Sequence, residues 1–304
     1  DKCKICFIRA KQKDDYVFDG IKKSGYKIVI PYKDYNLFLR ICREIWFRLK
    51  LPKRELWINP ETKRLKEEII IIKDPLIVPE FVRMLRKVYP DKRIYFDYDN
   101  RVCNSIEPDE IREYADEVWH YDEDDCRQYN LRLKGHAYLD VYQVEPDQEP
   151  LYDVFYVGRD KGRLNKMDEV KEKLNAAGLK TYFHICATRE FLTWTNKKYK
   201  HFLPYSGYLE LLKKSRAILN IVPEGQTSIT QREMEAVFDG VKCITNNVGI
   251  MTFELYDSTR FFVLNNNYEQ IQNFLNMPFR PVLASELAEY RFDSLIRNML
   301  GRSK

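Results

Sequence analysis

The sequence predicts an α/β protein of two Rossmann-like, parallel-sheet domains facing a cleft, and three observations carry that reading. Residues 4–30 run strand, helix, strand; residues 152–185 repeat the pattern; and between them residues 144–150 turn abruptly to Pro and acid, with Pro146 and Pro150 bracketing Asp147, Gln148 and Glu149. A β-α-β crossover within one sheet is right-handed and makes its two strands parallel. The predicted division is a first domain over residues 1–146, a linker over 147–151, a second domain over 152–284, and a terminal helix over 285–304 that can cross back to the first domain. Two such sheets direct the carboxyl ends of their strands, where ligands bind in this fold class, toward a shared crevice.

Each element has a local reason. Residues 4–8 are apolar enough for a buried strand, and the polar stretch 9–15 leads into a helix over 16–23 that stops at Gly25, before a second strand over 26–30. A long helix over 36–50 is broken at Leu51-Pro52, with a short strand over 55–58. Strands over 68–73 and 93–96 flank a helix over 79–88; residues 108–115 read as helical and 117–121 as extended. In the second half, a strand over 152–157, a helix over 167–176 closed by Gly178 and a strand over 180–185 precede a helix over 208–214 capped by Ser206. Residues 285–300 read as the closing helix.

Composition narrows the class. At 304 residues and 44% hydrophobic content the chain can bury two cores. A net charge of +5 with interspersed signs lacks the dense basic stripe of a nucleic-acid binder. No apolar run approaches the ~18 residues of a membrane span, and the start shows no signal-peptide pattern, so the expectation is a cytoplasmic protein. Seven scattered cysteines fit reduced thiols. Cys3 and Cys6 form a C-x-x-C without the second pair that a zinc site needs, so no metal is expected there.

The stretch from Ala217 to Thr245 is the most informative. It reads as strand, polar loop, helix, strand, with Thr230 and Glu233 spaced as a capping box and Gly240 stopping the helix. Met234, Val237 and Phe238 share a face suited to packing on the sheet, while Arg232 and Glu235 lie near each other across the first turn. A loop that leaves a strand's carboxyl end and enters a helix collects unpaired N–H groups and the positive end of the helix dipole, which suits a phosphate. With Gln226, Ser228 and Thr230 on the loop, the set suits a nucleoside diphosphate, cation and hydroxyls for phosphate and Glu235 for ribose. An ordinary surface helix with an i,i+3 ion pair explains Arg232 and Glu235 equally well.

The segment Pro223-Glu224-Gly225-Gln226-Thr227-Ser228-Ile229-Thr230-Gln231-Arg232-Glu233-Met234-Glu235-Ala236 resembles the donor-site segment of bacterial GT-B glycosyltransferases that build capsule, exopolysaccharide and lipopolysaccharide. Tyr152-Asp153-Val154-Phe155-Tyr156-Val157-Gly158-Arg159-Asp160-Lys161-Gly162-Arg163 resembles the start of their C-terminal domain. Residues 117–131, from Glu117-Val118-Trp119-His120-Tyr121-Asp122 to Asn130-Leu131, resemble the end of their N-terminal domain. Ten residues separate Glu224 from Glu235, where many of these enzymes have seven between their paired glutamates, so the resemblance carries ribose binding to Glu235 alone. It implies a metal-independent transferase with no cofactor. A nucleotide sugar is held by Gly158, Arg159, Arg163, Gln226, Ser228, Thr230, Arg232 and Glu235, and the acceptor is a saccharide, including one on a lipid carrier.

If the reaction inverts the anomeric centre, an acid or His of the first domain takes the acceptor proton. Asp14, Asp15 and Asp97 follow strands and are the candidates, with Asp15 and Asp97 foremost; His120 and His184 are more ordinary as structural residues. Asp97-Tyr98-Asp99 also admits a GT-A enzyme that holds a divalent metal on the donor. A non-catalytic two-domain protein that clamps a small ligand is a further alternative. In the helix over 36–50, Leu37, Phe38, Ile41, Ile45, Trp46 and Leu49 recur at helical spacing among Arg40, Arg43, Arg48 and Lys50. Arg40, Arg43, Trp46 and Arg48 then form a membrane or acceptor face on an anionic inner leaflet, or the helix is a core helix with solvated arginines.

Overall fold

The computed structural model describes residues 1–12, 14–74, 76–188, 192–223 and 226–301. The chain divides into two compact units, Asp1–Gly135 and His136–Lys304. In the first, β1 (Ile5–Arg9), α1 (Tyr16–Lys23), β2 (Lys27–Val29), α2 (Leu37–Arg48), β3 (Ile69–Lys73), α3 (Pro79–Val88), β4 (Arg93–Asp97), β5 (Glu117–His120), α4 (Glu123–Tyr129) and β6 (Arg132–Leu133) follow in order. The six strands pair in parallel as β2-β1-β3-β4-β5-β6. Every residue of β1 and of β3 is buried, as strands covered on both faces require. Asp15 caps α1 by accepting from Phe18 N, and Asn36 caps α2 by accepting from Leu39 N.

The second unit repeats the plan. It holds β7 (Tyr152–Arg159), α5 (Leu164–Ala176), β8 (Thr181–Cys186), α6 (Leu192–Thr195), α7 (Tyr205–Lys213), β9 (Ser215–Asn220), α8 (Gln231–Phe238), β10 (Lys242–Thr245), β11 (Phe261–Val263), α9 (Ile271–Asn276), α10 (Ala284–Leu287) and α11 (Phe292–Gly301). Its strand order is β11-β10-β9-β7-β8, again all parallel. Apolar clusters cover both faces of this sheet, one around Phe155, Ile218, Met234 and Phe238, the other around Tyr156, Met167, Leu174 and Leu219. In each unit the strand order reverses beside the first strand, between β1 and β3 and between β7 and β9, and this reversal opens the crevice where α/β sheets bind ligands.

Several elements differ from expectation. The strand expected over 55–58 is a 3-10 turn, Arg54–Trp57, entered through Lys53 at φ 59, a left-handed conformation that no strand accommodates. The helix expected over 108–115 shrinks to the turn Pro108–Glu110. The helix predicted to start after Ser206 begins instead at Tyr205, behind Pro204. Residues 302–304 of the predicted closing helix lie outside the described residues, and the rest forms α10, a short turn and α11.

The unit boundary falls at Gly135, ahead of the predicted 146, because the intervening segment is built into the second unit. Tyr138 is buried, stacks on Phe238 with ring centroids 4.3 Å apart, and exchanges backbone hydrogen bonds with Tyr290 and Phe292. Its hydroxyl donates to both oxygens of Asp239 at 2.8 and 3.0 Å, and Val144 N donates to Asp239 at 2.9 Å. Gln143 Nε2 donates to Phe238 O at 2.7 Å. The carboxyl end of α8 thus anchors the segment that a composition shift had assigned to the other side.

Burial pushes the Asp239 carboxyl up to about 7, although Val144 and Tyr138 pull it down. Its pKa in the unfolded chain is about 4, so between those values the folded state holds a proton that the unfolded state has released. Stability contributed here is therefore greatest below pH 4, declines as pH rises toward 7, and is level above. Asp239→Asn is expected to flatten this decline, on the order of 4 kcal/mol at most, between pH 4 and 8. Thermal melts of both proteins across that range check it, and parallel profiles would refute it.

Candidate functional site

The crevice between β7 and β9 gathers cations. Arg159 ends β7, Lys161 and Arg163 follow on the loop, and Arg232 reaches across from the first turn of α8. The Arg232 guanidinium donates to Val157 O and lies 5.4 Å from the centre of the Tyr156 ring. Arg163 donates to Ile221 O at 3.1 Å, tying the β7 loop to the β9 loop. The Lys161 ammonium is held below its usual range by loss of solvent and then by repulsion from Arg163, Arg232 and Arg159, so four positive groups feel one another at one spot. Lys161 lies within the segment quoted for resemblance, but the sequence reading passed over it; its place between two arginines was the available signal.

Gly158 is open to this cluster for a steric reason. A Cβ there would stand 2.9 Å from Tyr156 Oη and 3.0 Å from an Arg232 nitrogen. Asp160 braces the loop: its oxygens accept from Thr188 N at 2.8 Å, Thr188 Oγ1 at 2.7 Å, Tyr199 Oη at 3.0 Å and Gly162 N at 3.2 Å. Burial would raise its pKa, but those donors, Thr188 first, hold it below the usual carboxylate value. An ionised, fully occupied carboxylate of this kind fixes backbone geometry.

On the opposite loop Glu224 and Gly225 lie outside the described residues. Gln226 is half-buried, its N–H donating to Pro223 O at 3.2 Å. The Ser228 hydroxyl is buried and has no partner among the described residues, while its carbonyl accepts from Asn247. Thr230 caps α8 and its Oγ1 accepts from Asn220 at 3.0 Å, so this hydroxyl serves the fold. The capping box is present, but Glu233 does more: one oxygen accepts from Asn220, Thr245 and Asn247 at 3.0–3.2 Å, and the other from Thr230 N at 2.7 Å and Asn247 at 3.3 Å.

Glu235 differs from expectation. It is 2% exposed, and its oxygens accept from Tyr205 Oη at 2.7 Å and from Tyr208 Oη. The whole of 233–238 is buried, so α8 has no outer side on which Glu235 could meet a solvated partner. In place of a surface ion pair, Arg232 turns to the β7 backbone and Glu235 to two stacked tyrosines whose centroids are 5.4 Å apart.

The base candidates of the first unit are also committed elsewhere. Asp15 caps α1 and pairs with buried Arg9 at 2.9 Å. Asp97 lies between Lys73, at 2.6 Å, and Lys134. Asp99 completes the network with Arg9 and with Lys73 at 2.9 Å; burial opposes its charge, but Lys73, Arg9 and Lys134 together hold it down to about 2. Three cations thus occupy the side of Asp97-Tyr98-Asp99 on which the metal-binding alternative would place an ion. Asp14 is exposed, with φ 49. His120 is buried, accepts from Asp122 N at 2.9 Å and lies 2.9 Å from Asn100 O; burial lowers its pKa. His184 lies 2.8 Å from His201 O.

Helix α2 splits the proposed face. Arg43 lies over the Tyr32 ring at 4.6 Å and Trp46 donates to Pro52 O at 2.8 Å, so both pack inward. Arg40 and Arg48 are exposed. The outward stripe consists of Phe38, Ile41, Ile45 and Leu49, exposed at 71, 49, 51 and 64%.

No protein-family model matches the chain, and no curated protein matches it in sequence. Its fold matches solved structures end to end. A lipopolysaccharide outer core galactosyltransferase, WaaB, in its apo form superposes with a TM-score of 0.50 at 14% identity, covering 98% of each chain. A candidate UDP-N-acetylglucosamine 2-epimerase of Listeria monocytogenes gives 0.51 at 9% identity, covering 99% of this chain and 95% of its own. The chain has the GT-B architecture of two Rossmann-like, parallel-sheet units.

Removing the Glu235 carboxylate leaves two tyrosine hydroxyls without their acceptor. Glu235→Ala is expected to cost about 2–4 kcal/mol of stability in urea unfolding, and exposed Arg159→Ala within about 0.5 kcal/mol. Equal losses would overturn this division of roles.

Proposed function

We propose that the chain is a glycosyltransferase whose second unit grips a nucleotide sugar by its pyrophosphate and whose first unit receives a saccharide acceptor, in the synthesis of a bacterial surface polysaccharide. The observation that carries the reading is the convergence of Arg159, Lys161, Arg163 and Arg232 on the strand-order reversal between β7 and β9. The unpartnered Ser228 hydroxyl and the first N–H groups of α8 add donors on the other loop. Similarity in fold to a lipopolysaccharide galactosyltransferase is consistent with it.

Glycosyl transfer leaves charge on the departing β-phosphate, and fixed cations and N–H groups stabilise that charge without the reorganisation water would need. Four cations are enough for a doubly charged leaving group, so the reading requires no metal. For an inverting course, our candidate to take the acceptor proton is Asp14, which is exposed, whereas Asp15 and Asp97 are held by their own partners. Exposed on α2, the apolar stripe and the flanking Arg40 and Arg48 support a place on the cytoplasmic face of an anionic membrane, with the acceptor on a lipid carrier. Each cation at such a surface adds about 1 kcal/mol.

Among UDP, GDP, CDP and dTDP, one is expected to raise the melting temperature, by about 2.7 kcal/mol of stabilisation at a hundredfold excess over Kd. Arg163→Ala with Arg232→Ala should abolish the effect, and dialysis against EDTA should leave turnover unchanged. Indifference to all four nucleotides would sink the reading, and conversion of UDP-N-acetylglucosamine to its 2-epimer without an acceptor would replace it. In liposome sedimentation the protein should follow anionic vesicles, and Ile41→Asp with Ile45→Asp should leave it in the supernatant. Equal binding to neutral vesicles would refute the charge-assisted membrane contact.

A further inference from the structure

A hollow of about 370 Å³ lies between α3 and the segment that follows α2, at the lower end of the range for small-molecule sites. Its floor is apolar: Tyr32, Phe47, Ile58 and Phe81 are buried there, and half-buried Met84 lines one side. The mouth is held in shape. Trp46 Nε1 donates to Pro52 O at 2.8 Å and Arg54 Nε to Leu51 O at 3.1 Å, so side chains on either side pin the turn between them. Lys50 and Lys53 sit in that turn at φ 51 and 59, left-handed conformations that a non-glycine residue keeps only where its surroundings impose them.

The rim carries four cations and two acids, Lys53, Arg54, Arg83 and Lys87 against Glu55 and Glu80. Arg54 and Glu80 pair with each other and cancel. Glu55 can offset one more charge, and among the described residues no ion pair reaches Lys53, Arg83 or Lys87. Arg83 lies over the Tyr114 ring at 5.1 Å, a contact that leaves its charge in place. The rim therefore keeps an excess of two positive charges after both of its acids are counted. Exposed Arg48 and Lys50, just before the turn, are likewise without ion pairs among the described residues, and exposed Leu49 and Leu56 flank the same turn in sequence.

We propose that this hollow holds one hydrocarbon chain of a phosphate-bearing lipid, its phosphate on Lys53 and Lys87, and that this lipid is the anchor of the acceptor. Naming the lipid as the acceptor's anchor rests on the transferase reading, but the lipid site itself does not. An apolar floor under a cationic rim suits an amphiphile with an anionic head: a free phosphate would leave the floor uncovered, and a neutral chain would leave the charge uncompensated. The two lysines are mobile point charges able to follow a phosphate as the chain settles. A hollow this small takes one chain in place of two, which favours a single-chain carrier over a bilayer phospholipid.

Isothermal titration of the full chain with octyl phosphate, below its micelle concentration, tests the proposal. Inorganic phosphate supplies the head alone, and octyltrimethylammonium the same chain under the opposite charge. Octyl phosphate is expected to bind at a single site, and the other two about tenfold or more weakly. Affinity should rise about fourfold per methylene from hexyl to octyl phosphate. Lys53→Glu with Lys87→Glu should weaken octyl phosphate about tenfold or more while thermal melting is unchanged. Met84→Gln, which keeps the rim intact, should flatten the dependence on chain length. Ile41→Asp with Ile45→Asp should leave binding unaltered; a loss there would move the chain to the outer stripe of α2 and overturn the assignment. Equal affinity for the two octyl compounds, or indifference to Lys53→Glu with Lys87→Glu, would overturn it as well. So would tighter binding of dihexanoyl phosphatidic acid than of hexyl phosphate, which would seat a two-chain bilayer lipid here. Octyl phosphate held while every nucleotide fails to bind would remove the transferase reading and leave the lipid site standing, and nucleotides held while octyl phosphate fails would do the reverse.

Discussion

Glu233 has no exposed surface, yet its carboxylate accepts from the side chains of Asn220, Thr245 and Asn247 and from the backbone of Thr230. These residues end β9, end β10 and start α8, so one buried group joins the three segments whose loops surround the cationic crevice. Burial raises its pKa, and the donors resist that rise. Stripping one donor from such a group costs more than a surface hydrogen bond because the remainder stays buried and unpaired. Asn247 extends the connection by donating to Ser228 O, and Asn246 pairs with the backbone of Val222 through both ends of its amide, at 2.8 and 3.1 Å. The loop that faces the cationic crevice is thereby held by side chains from the segment after β10.

The same economy appears on the other side of the crevice. Asp160 holds its loop with four donors, so Arg159 and Lys161 extend from a braced backbone while Arg163 ties that loop to Ile221 O. Carboxylates fix the loops here, and cations line the crevice. The first unit inverts the pattern: Asp97, Asp99 and Asp15 are saturated by Lys73, Lys134 and Arg9, so the strand ends form a closed ion network. Buried networks of this sort are costly to break because each lost partner strands a desolvated charge.

The architecture was legible in the sequence because burial on both faces of a parallel sheet writes itself as uninterrupted apolar runs such as residues 69–72, punctuated by glycines and caps. The α8 capping box was legible for the same reason, since Thr230 and Glu233 act within one turn. What escaped were the short helices α4, α6 and α9, two-residue β6, the short β11 and the turns at Arg54–Trp57 and Pro108–Glu110, where few residues carry any periodic signal.

Local pattern and composition by themselves determined that this chain makes two parallel-sheet units and that a polar loop leads into a capped helix in the second. Tertiary structure alone decided which charged groups remain available. Asp15, Asp97 and Glu235 look like free acids in one dimension, but partners 6 to 37 positions away consume them. It also decided that residues 136–144 belong with Asp239, about a hundred positions downstream. A sequence shows what a side chain can bond, and only the fold shows which bonds are already made, because the competition between partners is settled by distances that sequence separation does not encode.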